Sequence, residues 1–150
     1  MNSGMNKIMK EAGLTLLSIF VFAFMLNYMW ESYHAVFLYE GHDFSAEKYV
    51  RMVTYVSMVD GALILAIYLI ISVLWKDVLW LQKMNRRQIW TAVAAGLAIA
   101  AAIEYRKVFV LKTWSYTPLM PTVFGVGVSP LLQLSVTGLV SFWLTRRMLR

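Results

Sequence analysis

Residues 12–30 read AGLTLLSIFVFAFMLNYMW, nineteen consecutive positions without a charged side chain. At 1.5 Å per residue in a helix, a run of this length nears the ~30 Å hydrocarbon core of a bilayer. Lys7 and Lys10 precede it, as they would in a signal peptide. The run is too long for a signal-peptide core, however, and bulky Tyr28-Met29-Trp30-Glu31 stands where a cleavage site needs small residues. The stretch therefore reads as a retained transmembrane helix, and the rest of the chain falls into place around it.

Three further apolar runs follow. One extends from about Met52 to Trp75, interrupted by Asp60; the next runs from Gln88 to Glu104; the last occupies about 122–144. The expectation is one integral membrane domain over residues 1–150: an all-α, polytopic bundle of four transmembrane helices at about 12–31, 52–75, 88–104 and 122–144. Composition agrees, with 60% hydrophobic and 15% charged residues against roughly 45–50% and 25% in soluble domains. The mean hydropathy is +0.62. Zero cysteines exclude disulfides, thiolate metal sites and dithiol redox chemistry, and with them the quinone-coupled thiol oxidases of similar size.

Cationic side chains resist translocation, so their distribution orients the spans. Nine of the fourteen Lys and Arg (Lys7, Lys10, Lys76, Lys83, Arg86, Arg87, Arg146, Arg147 and Arg150) fall on one side. Lys48, Arg51, Arg106, Lys107 and Lys112 fall on the other with Glu40, Asp43 and Glu47. Both termini are expected to be cytoplasmic, in a multi-pass protein of the cytoplasmic (inner) membrane. This asymmetry accounts for the net charge of +6, so nucleic acid is not an expected partner. Trp30, Tyr33, Tyr39, Tyr49, Trp75, Trp80, Trp90, Trp114 and Tyr116 lie near span ends, where aromatic rings serve as interfacial anchors.

Before the last span, residues 117–130 hold three prolines and two glycines. Such backbone needs partners outside a helical ladder and is expected to pack on protein as a cap or re-entrant turn. Ser129-Pro130 has the pattern of an N-cap followed by a first-turn proline, so the regular helix is expected to start there. Gly125-x-Gly127 lacks the strand-to-helix setting of a nucleotide loop and is given no phosphate role.

A charge at mid-membrane costs about 2.5–3.5 kcal/mol on insertion scales, so ionisable residues within spans face the bundle interior. Glu31, Asp60 and Glu104 are the three here. Ala23, Asn27 and Glu31 share one helical face; Ala92, Gly96, Ala100 and Glu104 form a small-residue face; Ser129, Gln133, Thr137 and Ser141 form a polar stripe; Ser57 adds a hydroxyl near Asp60. With cytoplasmic termini Glu31, Asp60, Glu104 and Gln133 reach the outer half of the bundle. They are expected to converge in a polar chamber roofed by the Pro/Gly segment. The plainer alternative is a hydrogen-bond network that only locks the helices together. At an offset of 73, residues 31–38 fall on 104–111 and Asp60 falls on Gln133, which suggests two parallel hairpins related by pseudo-twofold symmetry.

Carboxylates in apolar surroundings suit proton transfer. Glu31 with His34, and Glu104 with Lys107, have the three-residue spacing of same-face acid–base couples. Interfacial histidine and snorkelling lysine are the alternatives for the two bases. Glu31-x-x-His34 matches one half of a di-iron motif, but no second copy exists and His42-Asp43 falls in a loop, so neither a metal nor another cofactor is expected.

As whole patterns, Asn27-x-x-Trp30-Glu31, Asp60-Gly61, Trp114-x-Tyr116-x-x-x-Met120-Pro121 and Ser129-Pro130-Leu131-Leu132-Gln133 resemble a class of uncharacterised four-span prokaryotic integral membrane proteins. The resemblance covers most of the chain and implies the four-helix fold but no reaction. More distantly, Trp-Glu at a span end with intramembrane acids is similar to the sterol isomerase family and to small carotenoid cyclases. That similarity implies carboxylates protonating a carbon–carbon double bond.

The leading expectation is a chamber that binds a lipid or isoprenoid-like small molecule. Glu31, Asp60, Glu104 and His34 are its candidate acid–base groups, and Asn27, Trp30, Ser57, Trp114, Tyr116, Ser129 and Gln133 its candidate binding residues. The alternatives are a proton- or cation-coupled small transporter acting as a homo-oligomer, and an assembly subunit docking a partner through the small face of the third helix.

Overall fold

The computed structural model describes residues 2–41 and 45–150; the His42-Asp43 pair lies outside them. The chain is all-α in its main elements: α1 Asn2–Tyr33, α2 Ala46–Trp75, α3 Arg86–Tyr105 and α4 Val128–Met148. α1 and α3 each continue through a π-helical stretch, His34–Leu38 and Arg106–Val110. Three helical segments are long and apolar enough to cross a membrane: Gly4–Leu38, α2 and α4. α3 is the shortest helix at 20 residues, and much of its apolar character comes from alanine.

Local chemistry sets several of the boundaries. Ser45 caps α2 through the Lys48 amide, and Asn85 and Gln88 form a reciprocal capping box at the start of α3, at 2.9 and 3.0 Å. Lys76 ends α2 in the left-handed region, with φ of 53°. α1 begins well before the expected Ala12 because nothing in residues 2–11 breaks a helix. The last helix begins at Val128, within one residue of the expected start at Ser129 and after the span bound of 122. Residues 122–127 form a hairpin of β1 Thr122–Val123 and β2 Val126–Gly127, turned by Phe124 and Gly125, both at positive φ. Ser129 is consequently not the cap; Gly127 holds that position and Ser129 is free to bond elsewhere.

The helices pack as a ring in chain order. α1 lies against α2 and α4, and α3 against α4, while α2 and α3 touch more sparsely. α3 and α4 approach most closely at Gly96, where an added Cβ would stand 2.6 Å from Ser135 Oγ and 2.9 Å from its nitrogen. The small face of α3 thus packs against α4 of the same chain at Gly96.

At the end holding the α2–α3 connection, the interior contains an aromatic cluster. Tyr68, Trp80 and Phe142 pack with ring centroids 5.3–6.0 Å apart. Trp80 is buried here, with its indole N–H donating to Tyr68 O at 3.3 Å, so it is a core residue and not an interfacial anchor. At the opposite end the two connections are sewn together: Glu40 N donates to Ser115 O, Thr117 N to Leu38 O, and Thr117 Oγ1 to Phe37 O, at 3.0, 3.0 and 2.7 Å. That seam covers a polar interior.

Candidate functional site

Under the seam, α1 presents Asn27 and Glu31 on successive turns, α2 presents Asp60, and α4 presents Gln133. Gln133 Nε2 donates to Glu31 Oε1 at 2.6 Å, Asp60 Oδ2 at 2.9 Å and Asn27 Oδ1 at 3.0 Å. Asn27 is held in turn by its own Nδ2 bond to Ala23 O at 2.8 Å. Thr137, one turn along α4, has Oγ1 3.2 Å from Asn27 Oδ1 and 2.8 Å from Gln133 O. A primary amide carries two N–H hydrogens, and here three oxygens surround it. The Thr137 hydroxyl is a further donor toward Asn27 Oδ1, its hydrogen shared with Gln133 O, so the two amide hydrogens are left for the two carboxyls.

His34 is buried beside this hub. Trp30 Nε1 donates to its Nε2 at 2.7 Å, and Ser129 Oγ lies 2.8 Å from the same nitrogen. An indole nitrogen can only donate, so Nε2 presents its lone pair and the ring proton resides on Nδ1. Nδ1 makes no hydrogen bond and faces Glu31 Oε1 at 3.7 Å. His34, three residues after Glu31 on the same helical face, lies inside the bundle rather than at its interface.

Glu104 closes the chamber from α3. Tyr39 Oη donates to its Oε1 at 2.9 Å and Tyr116 Oη donates to its Oε2. Tyr116 Oη also accepts from Gly127 N at 3.1 Å, tying the carboxylate to the hairpin. Burial, and after it the Glu104 carboxylate, pushes both phenols above the ordinary tyrosine range, so they remain donors. Tyr39 further packs against His34, Trp114 and Tyr116, with centroids 5.4–5.8 Å apart.

Between these groups lies a cavity of about 150 Å³. Glu31, Asp60, Glu104 and Gln133 line one part; Met52, Val53 and Val56 of α2 and Ala100 and Ile103 of α3 line another. That apolar wall coincides with the sparse α2–α3 seam. A volume of this size holds a benzene-sized group.

Glu31, Asp60, Glu104 and Gln133, named from the sequence, therefore share one chamber. Trp114 also lines it; Asn27, Trp30, Tyr116 and Ser129 do not, but each is bonded to a member of the cluster. Ser57 does not join: its hydroxyl donates to Val53 O at 2.7 Å on its own helix. Lys107 does not pair with Glu104, standing instead over the Trp114 ring at 5.3 Å. Tyr39, expected as an anchor, is a site residue. Its only sequence signal is its position eight residues after Glu31, which a regular helix would not have brought to Glu104. Among the described residues no group of three or more His, Asp or Glu is placed to hold a metal ion. Compared with protein-family models, characterised proteins and solved structures, the chain finds no match.

Proposed function

We propose that the chain is a four-span integral membrane protein whose outer-half chamber binds the unsaturated or polar end of a lipid or isoprenoid-like molecule and exchanges protons with it. The single observation that carries this reading is the Gln133 hub, which gathers the Glu31 and Asp60 carboxyls around one amide nitrogen at the wall of the cavity. An acid of this pair supplies a proton to a carbon–carbon double bond. Glu104, whose oxygens each accept a phenol hydrogen, takes a proton from the neighbouring carbon, so the double bond shifts and the proton count is conserved. The proton held by Glu104 returns to the acid pair before the next turnover, and His34, with Nδ1 toward Glu31, orients that carboxyl without giving up its proton.

The cavity volume supports a restricted version of this chemistry. A sterol or carotenoid is far larger than a benzene-sized space, so only one reacting unit enters and the remainder leaves through the α2–α3 seam into lipid. In this reading α3 is the fourth span, its alanine-rich outer face sufficing because its other faces pack on α2 and α4. The helix ends support the paired-hairpin pattern: α2 ends at Trp75 and α4 at Met148, 73 residues apart. The membrane is the cytoplasmic one, with both termini inside.

The test is deuterium incorporation. Proteoliposomes containing a polyisoprenoid alcohol are incubated in deuterated water, and the recovered lipid is analysed by mass spectrometry. Wild-type protein incorporates carbon-bound deuterium, and Glu104→Gln does not; equal incorporation by both contradicts the proposed roles.

A second reading has its own support. Gln133, Thr137, Ser141 and Thr145 form a buried polar row along α4 from the chamber toward the other end, as proton or cation translocation requires. It ranks second because Thr137 and Ser141 donate to carbonyls of their own helix, at 2.8 and 2.6 Å. Wild-type protein inert in the deuterium assay but active in proton flux, as a homo-oligomer or alone, would favour it.

A further inference from the structure

A second cavity, of about 370 Å³, lies at the far end of the bundle between the start of α1, the α2–α3 connection and the end of α4. Arg146, Arg150, Gln82 and Thr145 bring hydrogen-bond donors to its wall, Glu11 brings a carboxylate, and leucines complete it. Lys7 stands 4.0 Å from Glu11 and offsets that charge, leaving the two arginines dominant.

Two donors here are buried without a partner, Thr145 Oγ1 and Arg146 Nε. Thr145 is fully buried. Its behaviour departs from the rest of its row. Thr137 and Ser141, two turns and one turn earlier on the same face, each donate to the carbonyl four residues back, whereas Thr145 does not. Leaving a buried hydroxyl and a guanidinium N–H unbonded is costly, and both line a space large enough for an acceptor. The acceptor must be anionic to match two guanidinium groups, and it must present several oxygens to meet donors arriving from α4 and from the connection. A phosphate fits that description, since it accepts on every side and arginine forks recognise it. The leucines suit an apolar stem attached to it.

We propose that this cavity binds an anionic phosphoryl group, carried either by the headgroup of an acidic phospholipid or by a soluble phosphate ester. The end concerned also bears the larger share of the chain's Lys and Arg, the arrangement by which basic pockets between membrane helices hold acidic headgroups. This site is separate from the carboxylate chamber and does not depend on it.

The experiment uses the full chain in mild detergent, with thermal unfolding followed during titration with phosphatidylglycerol, phosphatidylcholine, glycerol phosphate and inorganic phosphate. Phosphatidylglycerol is expected to raise the Tm saturably. Arg146→Gln and the near-isosteric Thr145→Val are each expected to weaken that effect at least tenfold in midpoint concentration, while Glu104→Gln leaves it unchanged. Should Arg146→Gln fail to fold, Thr145→Val carries the test. An equal effect of glycerol phosphate or inorganic phosphate supports the site and assigns it to a soluble ligand. No stabilisation by any of the four, equal stabilisation by phosphatidylcholine, or an effect undiminished in Thr145→Val overturns the proposal.

Discussion

Gln133 brings one amide nitrogen to the carboxyls of both Glu31 and Asp60, and most of what the chamber does follows from that convergence. Removing the amide in Gln133→Leu leaves Glu31 and Asp60 without their shared donor, while Asn27 keeps the Thr137 hydroxyl. Each buried polar group so stranded costs about 1–3 kcal/mol, so a marked fall in Tm is expected in detergent. Asp60→Asn is expected to be far milder, because a carboxamide keeps an acceptor oxygen for the Gln133 amide. Infrared spectroscopy tests the proton donor that the proposed reaction needs: wild-type protein at neutral pH should show the C=O stretch of a protonated carboxylic acid, and Asp60→Asn with Glu31→Gln should lose it. A spectrum with ionised carboxylates alone contradicts the proposed donor. The sequence pointed to Glu31, Asp60, Glu104 and Gln133 because charge within a span is costly and helical spacing fixes which face it occupies. It did not disclose Tyr39 as Glu104's partner, since that contact depends on a π-helical turn that no residue of 34–38 announces.

Gly96 and Gly138 separate close approach from ordinary packing between elements. At Gly96 a Cβ would press on the Ser135 backbone, so Gly96→Ala is expected to part α3 from α4 and lower stability by about 1–3 kcal/mol. At Gly138 the nearest atom to an added Cβ is Ile64 Cγ1 at 3.6 Å, so Gly138→Ala should leave the Tm nearly unchanged. The four-step row of small residues on α3 made a close helix approach foreseeable, but the partner, Ser135, lies outside the four-step polar row of α4. The hairpin of 122–127 was legible only as a non-helical cap. Ser129-Pro130 misled because a serine before proline looks like a helix start whether or not its hydroxyl is engaged elsewhere; here His34 engages it. Trp80 misled for a related reason, as hydropathy places a tryptophan near a span end but does not say whether the connection folds back over the core.

For the whole molecule, short connections made a ring in chain order the natural expectation, and the seam between α2 and α3 emerges only from packing. Closure at the opposite end rests on the Tyr39 and Tyr116 phenols, and their titration reaches the entire fold. Burial and Glu104 raise both above the ordinary value of about 10, so the folded state holds those protons more tightly than the unfolded chain does. Their contribution is therefore complete below pH ~10 and is lost as pH rises beyond it. Tyr116→Phe should flatten the decline of Tm in that alkaline window and should lower the Tm at neutral pH, where the Glu104 and Gly127 partners are lost. The seam itself is the expected portal, so Val56→Trp should exclude a ligand without disturbing the Gln133 hub. The central claim, that this chamber holds a hydrophobic small molecule, meets its most direct test in mass spectrometry of molecules retained after gentle extraction, comparing wild type with Glu31→Gln/Glu104→Gln. A lipid or isoprenoid enriched on the wild type and depleted on the variant is the expected result; retention no different from bulk membrane lipid in both would contradict it.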